Sequence, residues 1–347
     1  MKSSESVALA RSVLDRCLAL AGKPVRLRKF LIERADVLHG VAPESTGSVW
    51  SSDVARWDEW ASMTPAVCDK PGGLLGYRRG PYGYSSYDDL IPELAGLCSM
   101  TRVEHWSCDL RDIHGFSASK SSTTRFSDLD AMVERDSPEL IADISPAGMR
   151  RNLEHRGIAL LHAPGQDHFR AFSWTGGHIY VANSDGSHHL AAARYIARKL
   201  DLAVSLSAPL ELHEFDQLNV YRLRQRFGLY AIPGRLLWAD GGVCELLQEM
   251  QAPFYWKDMP IHEAWMGRAA IFLPLSDRRS RAAADQFARC GAFDLGKHLA
   301  DLARPVAPLH ELKVKSLRAA LIAGEQSGEP RPFDQEAFLS RMRAGAA

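Results

Sequence analysis

From about residue 140 onward, apolar and polar positions fall into blocks of clear period. Ser145-Pro146 opens a helix that Gly157 closes. The run 158–163 (IALLHA) reads as a strand, as do 169–174 (FRAFSW) and 178–183 (HIYVAN), with Gly176-Gly177 as the turn between the last two. Over 187–200, Leu190, Ala193, Ile196, Ala197 and Leu200 share one helical face. LAVSLSAPLELHEF then returns to extended structure. A helix over 217–226, a strand over 229–232, a helix in GGVCELLQEM and an apolar strand over 269–275 follow. The end reads as helical over 277–290, 293–303 and 309–323.

The first part of the chain is patterned differently. Val7, Ala10, Val13, Leu14, Cys17 and Leu18 recur at helical spacing, and Gly22 with Pro24 stops that helix. Trp50, Trp57 and Trp60 then sit among polar residues, and a Gly- and Tyr-rich stretch centred on 76–87 reads as an irregular loop. The polar segment 117–124 (SASKSSTT) reads as a linker. The expected organisation is therefore a helical, loop-rich region over 1–130, an α/β core over 140–305 and a helical tail over 306–347. The expected class is α+β or α/β, a small mixed sheet with flanking helices.

The most informative stretch is HIYVANSDGSHHLAAARYIARKL. A strand runs to Asn183, a tight turn covers Ser184, Asp185, Gly186 and Ser187, and a helix begins with His188 and His189. The first turn of a helix exposes unpaired N–H groups and the positive end of the macrodipole. Gly186 would let a ligand approach the backbone, and Ser184, Ser187, His188 and His189 add donors. This is suitable chemistry for an anion, although a helix simply capped by Asp185 or Ser187 has the same local sequence.

The pattern of strand, Asp185-Gly186-x-His188, Leu190-Ala191-Ala192 and a following extended segment resembles the core motif of the ParB/sulfiredoxin superfamily. That group includes partition proteins, sulfiredoxin and free-serine kinases. Ile144-Ser145-Pro146 and LAVSLSAPLELHEF resemble its flanks, so the likeness spans 141–216. The resemblance implies a small α/β domain that binds a nucleotide at this turn, ATP or CTP with Mg²⁺, and an NTP hydrolase or phosphotransferase activity. Ser184, Gly186, Ser187, His188 and His189 would hold the nucleotide, and Asp185, His188 and Glu214 would serve catalysis. Two departures matter. The family's phosphate-binding Arg is His189 here, which is shorter and largely neutral at pH 7. Sulfiredoxin's reactive cysteine is Ser187 here, which excludes sulfinic-acid reduction.

Other constellations carry alternatives. Glu211, His213, Glu214 and Asp216 end the strand after the motif helix and would suit Mg²⁺ or general-base work if that strand end lay beside the turn. Arg222, Arg224 and Arg226 would then supply phosphate charge. Cys98, His105, Cys108 and His114 form C-x6-H-x2-C-x5-H, a donor set zinc accepts at a spacing no common finger uses. His155, His162, His168 and His178 cluster in sequence. Tyr77, Arg78, Arg79, Tyr82, Tyr84 and Tyr87 within the Gly76–Tyr87 stretch could stack bases and pair phosphates, grip a protein, close over a nucleotide as a lid, or simply pack the loop. Lys23, Arg26, Arg28 and Lys29 form a basic stretch that reads either as a nucleic-acid contact or as a solvated face.

Composition changes this picture little. Apolar residues make up 46%, aromatic residues 9% and charged residues 24%, which excludes wholesale disorder and fibrous classes. Lys plus Arg equals Asp plus Glu at 42 each, so any attraction to nucleic acid must be local. Scattered cysteines without CxxC, no signal-peptide pattern and no long apolar run give a cytoplasmic expectation with no membrane partner. P-loop, dinucleotide-fold, nucleophile-elbow and zincin motifs are absent. The alternative to an enzyme is a regulatory protein that keeps the fold and binds a protein or DNA partner.

Overall fold

The computed structural model describes residues 23–40, 48–63, 70–120 and 126–305, together with Leu14, Cys17, Leu18, Ala21 and Ile322. The helix expected over 5–21 and that over 309–323 fall largely outside the described residues. The chain divides into two units, Met1–Val306 and Ala307–Ala347.

Within the first unit the strands are β1 (Gly73–Gly80), β2 (Gly83–Leu90), β3 (Cys98–Asp109), β4 (Ile113–Phe116), β5 (His168–Phe172), β6 (Ile179–Ala182), β7 (Ser205–Phe215), β8 (Phe227–Pro233), β9 (Phe254–Asp258), β10 (Arg268–Pro274) and β11 (Phe293–Asp294). The helices, in chain order, are α1 (Val25–Ile32), α2 (Ala35–His39), α3 (Trp57–Trp60), α4 (Pro92–Ala95), α5 (Leu129–Asp136), α6 (Pro146–Leu153), α7 (Ala159–His162), α8 (Ser187–Lys199), α9 (Gln217–Arg226), α10 (Gly234–Trp238), α11 (Val243–Glu249), α12 (Arg278–Arg289) and α13 (Leu295–Leu302).

These strands make two sheets. One has the order β11-β8-β10-β9-β1-β2 and is antiparallel throughout. The other has the order β3-β7-β5-β6-β4 and is mixed, with β5 parallel to β7 and β4 parallel to β6. The class is thus α+β. A shared core joins the sheets: Phe172, Tyr180 and Phe215 from the mixed sheet pack in one cluster with Leu229, Tyr255 and Phe272 from the antiparallel one, around Trp57, Trp60 and Trp265. A second cluster fills the other face of the antiparallel sheet with α1, α11 and α12.

Several expectations change. The region expected to be mainly helical supplies β1 to β4, and β3 pairs with β7 across the linker. The Gly- and Tyr-rich stretch is the β1–β2 hairpin rather than an irregular loop or lid. Gly76 serves packing there, since a Cβ would lie within 2.8 Å of the Tyr255 and Tyr87 rings. The run 158–163 holds the short helix α7 instead of a strand, because a brief apolar run has no period to separate the two. The helix expected over 293–303 begins with the two residues of β11.

Candidate functional site

The turn after β6 is built by backbone accounting. Asn183 is buried; its Oδ1 accepts from the Ser117 and Ala118 amides, and its Nδ2 donates to the carbonyls of Ala118 and Asp185. The Ser184 amide and hydroxyl both donate to Asp167 Oδ1, at 3.3 and 3.4 Å. Gly186 then takes φ +75°, the left-handed region that favours glycine. A Cβ there would lie 2.7 Å from backbone atoms of Gly157 and Ile158. The close neighbour of Gly186 is therefore the chain itself, not a ligand as its sequence position suggests.

α8 starts at Ser187 with no side-chain cap. Its first turn opens on a cleft of about 560 Å³, lined among others by Ser119, Lys120, Ser137, His155, Asp185 and His188. Gly186 and Ser187 form a buried floor, while Ser184 and Asp185 stand exposed at the rim. The Gly186 amide donates to the Asp185 carboxyl and holds it below its ordinary range, and the charges of Lys120 and nearby imidazoles add to that.

Three histidines define the chemistry of the cleft. His188 lies between hydroxyls, with Nδ1 2.5 Å from Ser137 Oγ and Nε2 3.3 Å from Ser119 Oγ. His189 and His155 stack at 3.8 Å between centroids and 11° between planes. Their neighbours fix which nitrogen carries hydrogen in the neutral rings. Asn152 Nδ2 donates to the Leu140 and Gly148 carbonyls, so its Oδ1 is the acceptor for His189 Nδ1–H at 3.0 Å. The Gly157 amide donates to His155 Nδ1 at 3.2 Å, which leaves the His155 hydrogen on Nε2. The stack thus combines one N–H donor and one nitrogen lone pair. Burial, followed by the adjacent imidazoles His155 and His188, pushes the His189 pKa down.

The structure brings together Ser184, Asp185, Gly186, Ser187, His188 and His189. Glu214 is not among them. β5 and β6 run antiparallel with His168 opposite Ala182, whereas β5 pairs with β7 from Phe169–Leu210 to Phe172–His213. Glu214 therefore lies toward the opposite end of the sheet from the turn, roughly 13 Å beyond Leu210 at ~3.3 Å per residue. Arg222, Arg224 and Arg226 ride on α9, which packs on α13 and α4, and Arg226 pairs with Glu93. They supply no charge to the cleft.

The other histidines separate. His162 bonds the Leu153 carbonyl, His168 bonds Glu211, and His178 stacks on His114. Cys98 and Cys108 sit at opposite ends of β3, about 33 Å apart at ~3.3 Å per residue, so the C-x6-H-x2-C-x5-H set cannot share one ion. Among the described residues, no group of three or more His, Cys, Asp or Glu is placed to hold a metal ion. No described helix is long and apolar enough to cross a membrane. Sequence reading missed Ser119, Lys120, Ser137, Asn152 and the role of His155. Only His155 carried a local signal, its place two residues before Gly157.

Comparison with known proteins finds two matches along the chain. A family of unknown function, DUF6685, matches residues 103–307, more than half of the chain. Residues 308–347 match the bacterial antitoxins of the ParD type II toxin–antitoxin system and RHH. A curated relative, antitoxin ParD of Xylella fastidiosa (strain 9a5c), is 70% identical over 33 residues, which cover 10% of this chain and 41% of that protein. No solved structure matches the chain.

Proposed function

Starting from a chain that belongs to the DUF6685 family and ends in a ParD-like segment, we propose a regulatory binding protein whose C-terminal segment engages a partner protein of the toxin class. The observation that carries this reading is the 70% identity over 33 residues to an antitoxin. An antitoxin acts by occupying its partner, which requires a matched surface and no catalytic group. A short stretch can carry such recognition by itself when it folds on or wraps around the partner. The test is size-exclusion chromatography of the full chain with the toxin that partners the Xylella antitoxin. A stable complex is expected, and a chain ending at Val306 should elute free of the toxin. Failure of the full chain to bind at tens of micromolar would remove the reading.

A second reading concerns the cleft, and the uncapped start of α8 favours it. Here the first unit binds a phosphate-bearing ligand, ATP or CTP in the form the ParB/sulfiredoxin resemblance suggests. Support comes from the helix amides at Ser187, His188 and His189, the Lys120 ammonium at the mouth and the His155 N–H. With Mg²⁺ on the nucleotide, Asp185 is the carboxylate at the turn, held ionised by the Gly186 amide and suited to orient water more than to take its proton; Glu214 has no part. Calorimetric titration with ATP, CTP, GTP and ADP plus Mg²⁺ tests this. Micromolar binding that disappears in His188→Ala with the fold intact is the expected result, and no binding to any of the four refutes it.

A further inference from the structure

The β1–β2 hairpin and the start of α12 bring together two arginines that lie 200 residues apart in the chain, Arg79 on β1 and Arg279 on α12, while Arg78, on the other face of β1, lies over the Tyr87 ring. The joint is Gln251. Its Oε1 accepts from Arg79 Nη1 at 2.6 Å and from Arg279 Nη1 at 3.4 Å. Gln251 holds φ +52°, an uncommon conformation for a residue with a side chain. Two guanidinium groups thus converge on one neutral oxygen. Among the described residues, neither Arg79 nor Arg279 forms an ion pair, and neither do Arg78, Arg278 or Arg281. The acidic groups nearby are engaged elsewhere: Asp277 caps α12, and Glu249 pairs with Arg26.

The tip of the same hairpin adds an aromatic ring. Gly80 and Gly83 flank Pro81-Tyr82, and Tyr82 is fully exposed. The other tyrosines of the hairpin pack inward. Tyr77 stacks between Tyr84 and Phe254, and the Tyr84 hydroxyl donates to the Ala252 carbonyl. Tyr82 is thus the one hairpin tyrosine left wholly to solvent. Converging arginines that form no ion pair, with a protruding ring on the same hairpin, suit a chain that carries a phosphate on every unit and an unstacked flat base.

We propose that the surface formed by Arg79, Arg279, Gln251 and Tyr82 binds single-stranded nucleic acid, the arginines pairing phosphates and Tyr82 stacking on a base. The strand form is favoured over a duplex because a ring on a narrow hairpin tip needs a base free of its own stack. None of these four residues lines the α8 cleft.

The test uses the full chain and fluorescence anisotropy with a labelled oligo-dT of about 20 nucleotides, at two or more salt concentrations. Arg79→Ala/Arg279→Ala should weaken binding at least tenfold and reduce the salt slope by about 0.7 for each arginine lost. Tyr82→Ala should weaken binding several-fold with the salt slope unchanged, since stacking releases no counterions. The melting temperature reports that these exposed substitutions leave the fold intact. Arg79→Lys/Arg279→Lys should retain most of the affinity. Undiminished binding by the double alanine variant overturns the proposal. So does a preference for blunt duplex DNA or for polyglutamate over the single strand, which would assign the patch to a different partner.

Discussion

Asn152 shows how one buried amide can set the chemistry of a cleft. Its Nδ2 is committed to two carbonyls, so its oxygen must face His189 and the imidazole must carry its hydrogen on Nδ1. Asn152→Leu should leave the Leu140 carbonyl without a partner and cost about 1–3 kcal/mol in urea unfolding. In the same variant, the ¹⁵N shifts of His189 should show the hydrogen redistributed between the two ring nitrogens. His114 makes a different prediction. Burial first, then His178 and the Arg194 and Arg198 charges, lower its pKa from 6.5 to about 4. Its Nδ1 accepts from the Ile179 amide. The unfolded chain takes up a proton near 6.5 and the folded chain only near 4. The contribution of neutral His114 to stability is therefore complete above 6.5 and is lost as pH falls toward 4. His114→Asn keeps an acceptor without a titratable ring, so its melting temperature should fall less between pH 7 and pH 5 than that of the wild type.

At the scale of the element, the turn before α8 and the turn before β6 use glycine for different reasons. Gly176 has φ +72° and open space where a Cβ would stand; Gly186 has φ +75° and backbone 2.7 Å away. Gly176→Ala should cost about 1 kcal/mol of left-handed strain. Gly186→Ala should cost more, about 2–4 kcal/mol, because Gly157 and Ile158 must also move. Paired thermal melts compare the two. The same elements show what a sequence makes legible. β5, β6, α8, β7 and α9 were readable because periodicity and flanking turn residues agree, although Asp216, a candidate in the sequence for Mg²⁺ or general-base work, instead caps α9 through the Asn219 amide. The hairpin was not readable, because Gly76 looks like loop material until Tyr255, far away in sequence, is known to lie over it. The cleft was half legible. Its floor is contiguous sequence, whereas Ser119, Ser137 and His155 reach it only through the tertiary fold. Glu214 was misplaced because strand polarity cannot be read from a motif.

For the whole molecule, the shared core is decisive. One apolar cluster takes members from both sheets, and the β1–β2 hairpin pairs with β9. The first unit should therefore unfold in a single transition, with near-UV circular dichroism and tryptophan fluorescence giving coincident denaturant curves. Two separated transitions would show that the sheets are independent. The antiparallel sheet ends at β2, where Ser85, Ser86 and Asp88 face solvent. A margin of unpaired amides and carbonyls invites neighbouring molecules to add their own strands. Here that margin is hydroxyl-rich and carries Asp88, so a second molecule arriving edge-on meets its own like charge. The protein should therefore tolerate crowding without knitting itself into fibrils.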